Sequence, residues 1–157
     1  QFLKILCIPS KHWGWSCIVI GVGCLHCFEL ADLRSRAKFM SKVDFVVAVE
    51  YNRDIHYFSD VVGAWARDIH CFIVQVNSSN FGDSKVIMPS KTDEKTLVQV
   101  KGGDNMVVLI CTLPIDSLCD FQLATYVVQQ NDKRFKFTPP CFDHSLALKR
   151  HNDEELY

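Results

Sequence analysis

The stretch that runs from Phe45-Val46-Val47-Ala48-Val49, through residues 54–70, to Phe72-Ile73-Val74-Gln75-Val76-Asn77 decides the fold. Its first segment is apolar without alternation, which predicts a strand covered on both faces, as in an α/β sheet. In the middle segment Ile55, Phe58, Val62, Trp65 and Ile69 recur at spacings of 3, 4, 3 and 4. That period is one stripe of an amphipathic helix, and Asp54 can cap its start. The third segment is again a buried strand. A strand, a helix and a strand in this order call for a parallel crossover.

Working outward, residues 16–27 are rich in Ile, Val and Cys and bend at Gly21 and Gly23. They predict another buried strand, ending at Cys27. Residues 29–39 follow at once as a helix, with acidic groups in the first turn and basic ones in the last, which suits the helix dipole. Downstream, Ser78-Ser79-Asn80-Phe81-Gly82-Asp83-Ser84 is a turn-rich loop. Residues 85–88, 96–100 and 106–113 read as successive strands, separated by Pro89-Ser90-Lys91 and Gly102-Gly103-Asp104-Asn105, and residues 115–129 as a last helix. Beyond Asn131 the composition turns polar and irregular. The first half calls for parallel crossovers, the second for an antiparallel extension.

The bulk properties bound the possibilities. A chain of 157 residues builds one domain with a core that needs no staples. With 48% hydrophobic and 22% charged residues it is an ordinary globular composition. A net charge of −1 excludes a nucleic-acid surface made by overall basicity. No apolar run approaches the ~18 residues of a membrane span, so no membrane partner is expected. The eight cysteines sit inside apolar runs such as Cys71-Phe72-Ile73-Val74, as reduced thiols do, which points to the cytoplasm. The chain opens at Gln1 onto Phe2-Leu3-Lys4-Ile5-Leu6-Cys7-Ile8, with no basic region and cleavage site of a signal peptide. Starting without methionine and in mid-pattern, it reads as the C-terminal portion of a longer domain. Cys24-x-x-Cys27 lacks a second pair, and the six histidines lack ligand spacing, so neither a metal nor a cofactor is expected. Lys101-Gly102-Gly103 is not a phosphate loop, because no helix follows it.

The chemistry gathers where strand passes to helix with almost no loop, at Cys27. A residue in so sharp a turn projects from the sheet edge beside the N–H groups of the helix start, which favour a thiolate and can hold an oxyanion. Two readings stand for Cys27: an activated nucleophile, or one more buried apolar thiol. Glu50 and Asn52 close the second strand and either line the same crevice, which forms at strand C-termini, or are solvated loop residues. Asn77, closing the third strand, either orients loops or meets substrate. Arg34 and Arg36 are placed to pair with Glu29 or Asp32 on the helix.

Cys27-Phe28-Glu29 at the end of a strand resembles the Cys-aromatic-acid signature of the nitrilase, or carbon–nitrogen hydrolase, superfamily. The likeness continues through Val43-Asp44-Phe45-Val46-Val47-Ala48-Val49-Glu50-Tyr51-Asn52, through Ala66-Arg67-Asp68 with Phe72-Ile73-Val74-Gln75-Val76-Asn77, and through Gly82-Asp83-Ser84-Lys85-Val86-Ile87-Met88-Pro89. A narrower likeness, carried by Cys27-Phe28-Glu29-Leu30-Ala31-Asp32, Gln75-Val76-Asn77-Ser78-Ser79, Gly82-Asp83-Ser84, Lys101-Gly102-Gly103-Asp104-Asn105 and Phe137-Thr138-Pro139-Pro140, is to the nitrilase-like module of certain bacterial reverse transcriptases linked to phage defence. The resemblance implies a partial nitrilase-type αββα sandwich over residues 16–130, preceded by an unmatched stretch (1–15) and followed by a tail (131–157). It implies Cys27 as the nucleophile that cleaves a small amide or nitrile-like C–N bond through a thioester, and a homo-oligomer. Nucleic acid would enter only through an attached reverse-transcriptase domain.

In that family a glutamate base and a lysine complete the set, both upstream of the cysteine. Here the first glutamate is Glu29, and Lys11 lies only 16 residues before Cys27. The expectation is therefore alkylation at Cys27 without turnover by this chain alone, with Lys11 and Glu50 as the only stand-ins, and self-association through unpaired sheet edges. The rival expectation is an oligomerisation or regulatory module in which Cys27 is idle.

Overall fold

The computed structural model describes residues 4–9, 21–103 and 107–152. Lys11, Cys17, Asp104 and Asn105 lie outside the described residues. The strands are β1 (Lys4–Pro9), β2 (Val22–His26), β3 (Phe45–Glu50), β4 (Phe72–Asn77), β5 (Ser84–Ile87), β6 (Thr96–Val100) and β7 (Val108–Leu113). The helices are α1 (Leu33–Ala37), α2 (Ile55–Asp68), α3 (Ile115–Leu123), α4 (Tyr126–Asn131) and α5 (His144–His151). A 3-10 helix, Cys27–Ala31, precedes α1.

The architecture is mixed α/β. Five strands form one sheet in the order β2-β3-β4-β5-β6. β2, β3 and β4 run parallel, each joined to the next through helix, while β5 and β6 add antiparallel strands. The reversal after β4 is made at Gly82 and Asp83, with φ of 76° and 64°. A Cβ at Gly82 would sit 2.2 Å from the Lys101 carbonyl oxygen, so this turn requires glycine.

The core has two halves, one on each face of that sheet. On one face, Leu25, Val46, Ala48, Ile73 and Ile87 pack against Phe58, Val62, Trp65, Ala66 and Ile69 of the α2 segment. Of the apolar stripe read from the sequence, Phe58, Val62, Trp65 and Ile69 are buried on the face that meets the sheet, while Ile55 at the helix start is only half-buried. Asp54 caps it, accepting from the Tyr57 N–H at 3.3 Å. Each of these large side chains contributes about 1.5–3 kcal/mol on burial. On the other face, Phe72, Val74 and Val86 meet Leu113, Ile115, Leu118, Phe121 and Phe135.

Four elements differ from the sequence reading. β7 does not extend the run of strands. It pairs in parallel with β1, Lys4↔Val108 through Pro9↔Leu113, in a separate two-stranded sheet. The helix expected over residues 29–39 is broken at Asp32, which accepts from the Arg34 N–H at 3.0 Å and the Ser35 hydroxyl at 3.1 Å and so starts α1 afresh. The helix expected over residues 115–129 is two, α3 and α4, parted at Ala124 and Thr125 in extended conformation. The last carbonyls of α3 find other donors there: Gln129 Nε2 reaches those of Phe121 and Ala124, and His144 Nδ1 that of Gln122, so no further turn is needed to satisfy them.

The polar tail, finally, is structured. Asp143 caps α5 through the N–H groups of Ser145 and Leu146. On this helix Arg150 is buried, donating to Asp44 Oδ1 at 2.7 Å and to Gln122 Oε1 at 2.7 Å. The other Asp44 oxygen accepts from the Gly21 N–H at 2.9 Å. Among the described residues no helix is long and apolar enough to cross a membrane.

Candidate functional site

β2, β3 and β4 share one C-terminal end, with His26↔Val49 and Glu50↔Asn77 in register. β5 starts at that same end. Alternation along the strands then decides which side chains meet above the sheet. Leu25, Ala48 and Ile73 face α2, and so do Glu50 and Gln75, two residues further on in β3 and β4. Lys85, paired with Gln75 and bonded to Ser59 of α2, faces the same way.

Cys27 stands at the head of this row. It is half-buried, with φ of 40°, a left-handed conformation unusual for any residue other than glycine. The turn is held from below by Glu29, whose carboxylate accepts from the His26 N–H at 2.9 Å. Asn52 Nδ2 donates to the Cys27 thiol at 3.7 Å. Asn77 in turn fixes Asn52: its Oδ1 accepts from the Asn52 N–H at 3.0 Å, and its Nδ2 donates to the Asn52 carbonyl at 2.9 Å. Asn77 is buried and orients the loop. Cys71 and Cys119, by contrast, are buried thiols whose proton is held by desolvation, Cys119 up to about 12.

Glu50 is 6% exposed and accepts from Gln75 Nε2 at 3.0 Å. Among the described residues its second oxygen, Oε2, and Gln75 Oε1 have no hydrogen-bond partner. Desolvation pushes Glu50 up to about 7, against the lowering effect of Gln75 and Lys85 and with help from the Asp83 charge. Its carboxyl therefore exchanges a proton near neutrality. Lys85 is buried as well, ion-paired with Asp83 at 2.7 Å. Cys27, Glu50, Asn52 and Asn77 thus sit on neighbouring strand ends.

The remaining site residues named from the sequence take structural positions. Asp32 caps α1, and the backbone N–H of Arg34 is the main cause that lowers its carboxyl from the ordinary value. Arg34 lies 3.6 Å from Asp32 with a side chain 92% exposed, so it points to solvent. Cys24 is exposed and lies 3.9 Å from His26 Nε2, on the sheet face opposite Leu25, so Cys24 and Cys27 form no pair. Among the described residues no group of three or more His, Cys, Asp or Glu could hold a metal.

Sequence reasoning missed Gln75, Lys85, Asp83 and Ser59. The signal was available for the first two: a polar residue within a run buried on both faces must find a buried partner. Pairing them needed the register. No protein-family model matches the chain, and no curated protein matches it.

Proposed function

We propose that this chain carries the nucleophile-bearing part of a nitrilase-type αββα domain that hydrolyses a small amide or nitrile-like C–N bond. The observation that carries this reading is Cys27 itself, a non-glycine residue held at φ 40° where a strand end meets a 3-10 helix, with an amide donor on its sulfur. The step follows from the residues present. Cys27 Sγ adds to the carbonyl carbon, and the C–N bond breaks as the nitrogen takes a proton. A thioester remains, which water cleaves to the acid and the free thiol. Glu50 is the group suited to move that proton, since its affinity lies near neutral pH. Lys85 is turned to Asp83 and Ser59, and among the described residues the Asn52 amide is the side chain that donates to the reacting sulfur.

One observation favours the rival class, a non-catalytic assembly or regulatory module of a reverse-transcriptase-linked protein. β7 exposes Val108 and Ile110 at 56% and 65% of their surface.

Brief iodoacetamide treatment with peptide mapping tests the nucleophile. Cys27 is expected to label ahead of the more exposed Cys24 and Cys141, because its sulfur is held at the turn with an amide donor on it and reactivity does not follow access alone. Labelling of Cys27 no faster than theirs overturns the reading. With Glu50 in the role of the base, slow ammonia release from small amides, lost in Cys27→Ala, is the expected result in place of the labelling without turnover that the sequence led to expect, and its absence favours the module.

A further inference from the structure

Away from Cys27, the C-terminal half of α2, the loop after β5 and the segment 136–140 enclose a cleft of about 670 Å³. That volume lies within the range of small-molecule sites. Three cations line it, Arg67, Lys95 and Lys136, against one carboxylate, Asp68. Among the described residues none of the three makes an ion pair. The Lys95 ammonium is laid over α2 at Gly63: a Cβ there would meet Lys95 Nζ at 2.6 Å. Glycine in the middle of a helix is unfavourable by propensity, and here it makes room for a charge.

The walls are fixed before any ligand arrives. The Lys136 N–H donates to the Pro89 carbonyl at 2.8 Å, and the Lys136 carbonyl accepts from His70 Nε2 at 2.6 Å. Ser90 Oγ donates to the Arg134 carbonyl at 2.7 Å. Phe137, also in the wall, stacks on Tyr126 with ring centroids 5.0 Å apart and planes at 16°, although the two rings are 43% and 67% exposed. This gives Phe137-Thr138-Pro139-Pro140, singled out in the sequence, a place the Cys27 site does not use.

We propose that this cleft binds a small phosphate-bearing ligand, its phosphate held by Lys95, Lys136 and Arg67. Three positive charges against one negative leave a surplus that matches a phosphate near −2. A guanidinium beside two ammonium groups offers the donors that a phosphate's oxygens accept. Asp68 accepts from a hydroxyl of the ligand or of a protonated phosphate.

Calorimetric titration with inorganic phosphate and with adenosine monophosphate tests the site, at low and at high salt. Wild type is expected to bind at least one of them saturably, and more weakly as salt rises. Lys95→Met is expected to lose about tenfold or more in affinity, the scale of one charge-assisted hydrogen bond. Gly63→Ala provides a second reading, because its methyl meets only the far end of the Lys95 side chain and so displaces the charge while the helix stays intact. Tighter binding of the nucleotide assigns an esterified phosphate, and equal binding assigns the free anion. Either result supports the site if both variants weaken it with unchanged melting. No saturable binding of either probe by wild type, or unchanged binding in both variants, overturns the proposal.

Discussion

Glu50→Gln isolates the most consequential charge in the sheet. The carboxyl moves from an ordinary 4.5 to about 7 on folding. The folded state therefore holds the proton more tightly than the unfolded chain does. The linked stability is fully present below pH 4.5 and is lost as pH rises through 7. At about 1.4 kcal/mol per pH unit the full loss would be about 3 kcal/mol. Glu50 stands at the sheet end beside half-buried Cys27 and Asn52, where water weakens the effect, and about 2 kcal/mol is the expected size. Glutamine keeps the shape and still accepts from Gln75, but it does not titrate. Urea unfolding at pH 5 and pH 8.5, followed by intrinsic fluorescence, measures the difference. With a slope near 2 kcal/mol/M the wild-type midpoint should fall by about 1 M more than that of the variant. Comparing the two proteins cancels every other titrating group. If Glu50→Gln loses as much stability as wild type across this interval, Glu50 does not hold its proton as argued. The general acid of the proposed mechanism then goes with it.

Two further outcomes follow from buried ionisable groups. Arg150→Ala should cost about 3–5 kcal/mol, read as a depressed melting temperature, because it leaves Asp44 buried without its cation; Asp44→Asn added to it should recover part of the loss. His70 is pushed down to about 4 by desolvation and is neutral in the fold, donating from Nε2 and accepting from Gln122 at Nδ1. Its contribution is whole above pH 6.5 and fades as pH falls towards 4, by up to about 3 kcal/mol; denaturation at pH 7 and pH 4.5 should show His70→Gln with a flatter acid limb.

What could be read in advance was whatever depends on a local period. The α2 stripe, the apolar runs of β3 and β4 and the Asp54 cap are local, and each stands where its pattern lies. The strand-to-helix turn at Cys27 was legible for the same reason, since two adjoining patterns left no loop between them. Its positive φ was not, because nothing in Cys27-Phe28-Glu29 marks a left-handed residue. Long-range partners were not legible either. Lys85 reads as an ordinary strand residue until antiparallel register sets it beside Gln75, and Arg150 reads as surface charge until α5 folds back on Asp44. The break at Ala124 escaped because its cause lies in the side chains of Gln129 and His144, not in any breaker residue. The departure of β7 to β1 was hidden because a strand's sequence carries its faces but not its neighbour.

The bond between Arg150 and Asp44 joins residues 106 positions apart, and this sets a schedule for the chain as it is made. At about 5–20 residues per second, a ribosome needs roughly 5–20 s after Asp44 is added before its partner is added. Through that interval β2, β3 and β4 can pair, yet Asp44 beside them has no counter-ion and resists being covered. A nascent chain that stops short of α5 keeps that carboxylate in water and the adjoining sheet end loose. Docking of α5 is therefore the event that covers Asp44, and until it happens a chaperone or protease meets this end of the sheet open.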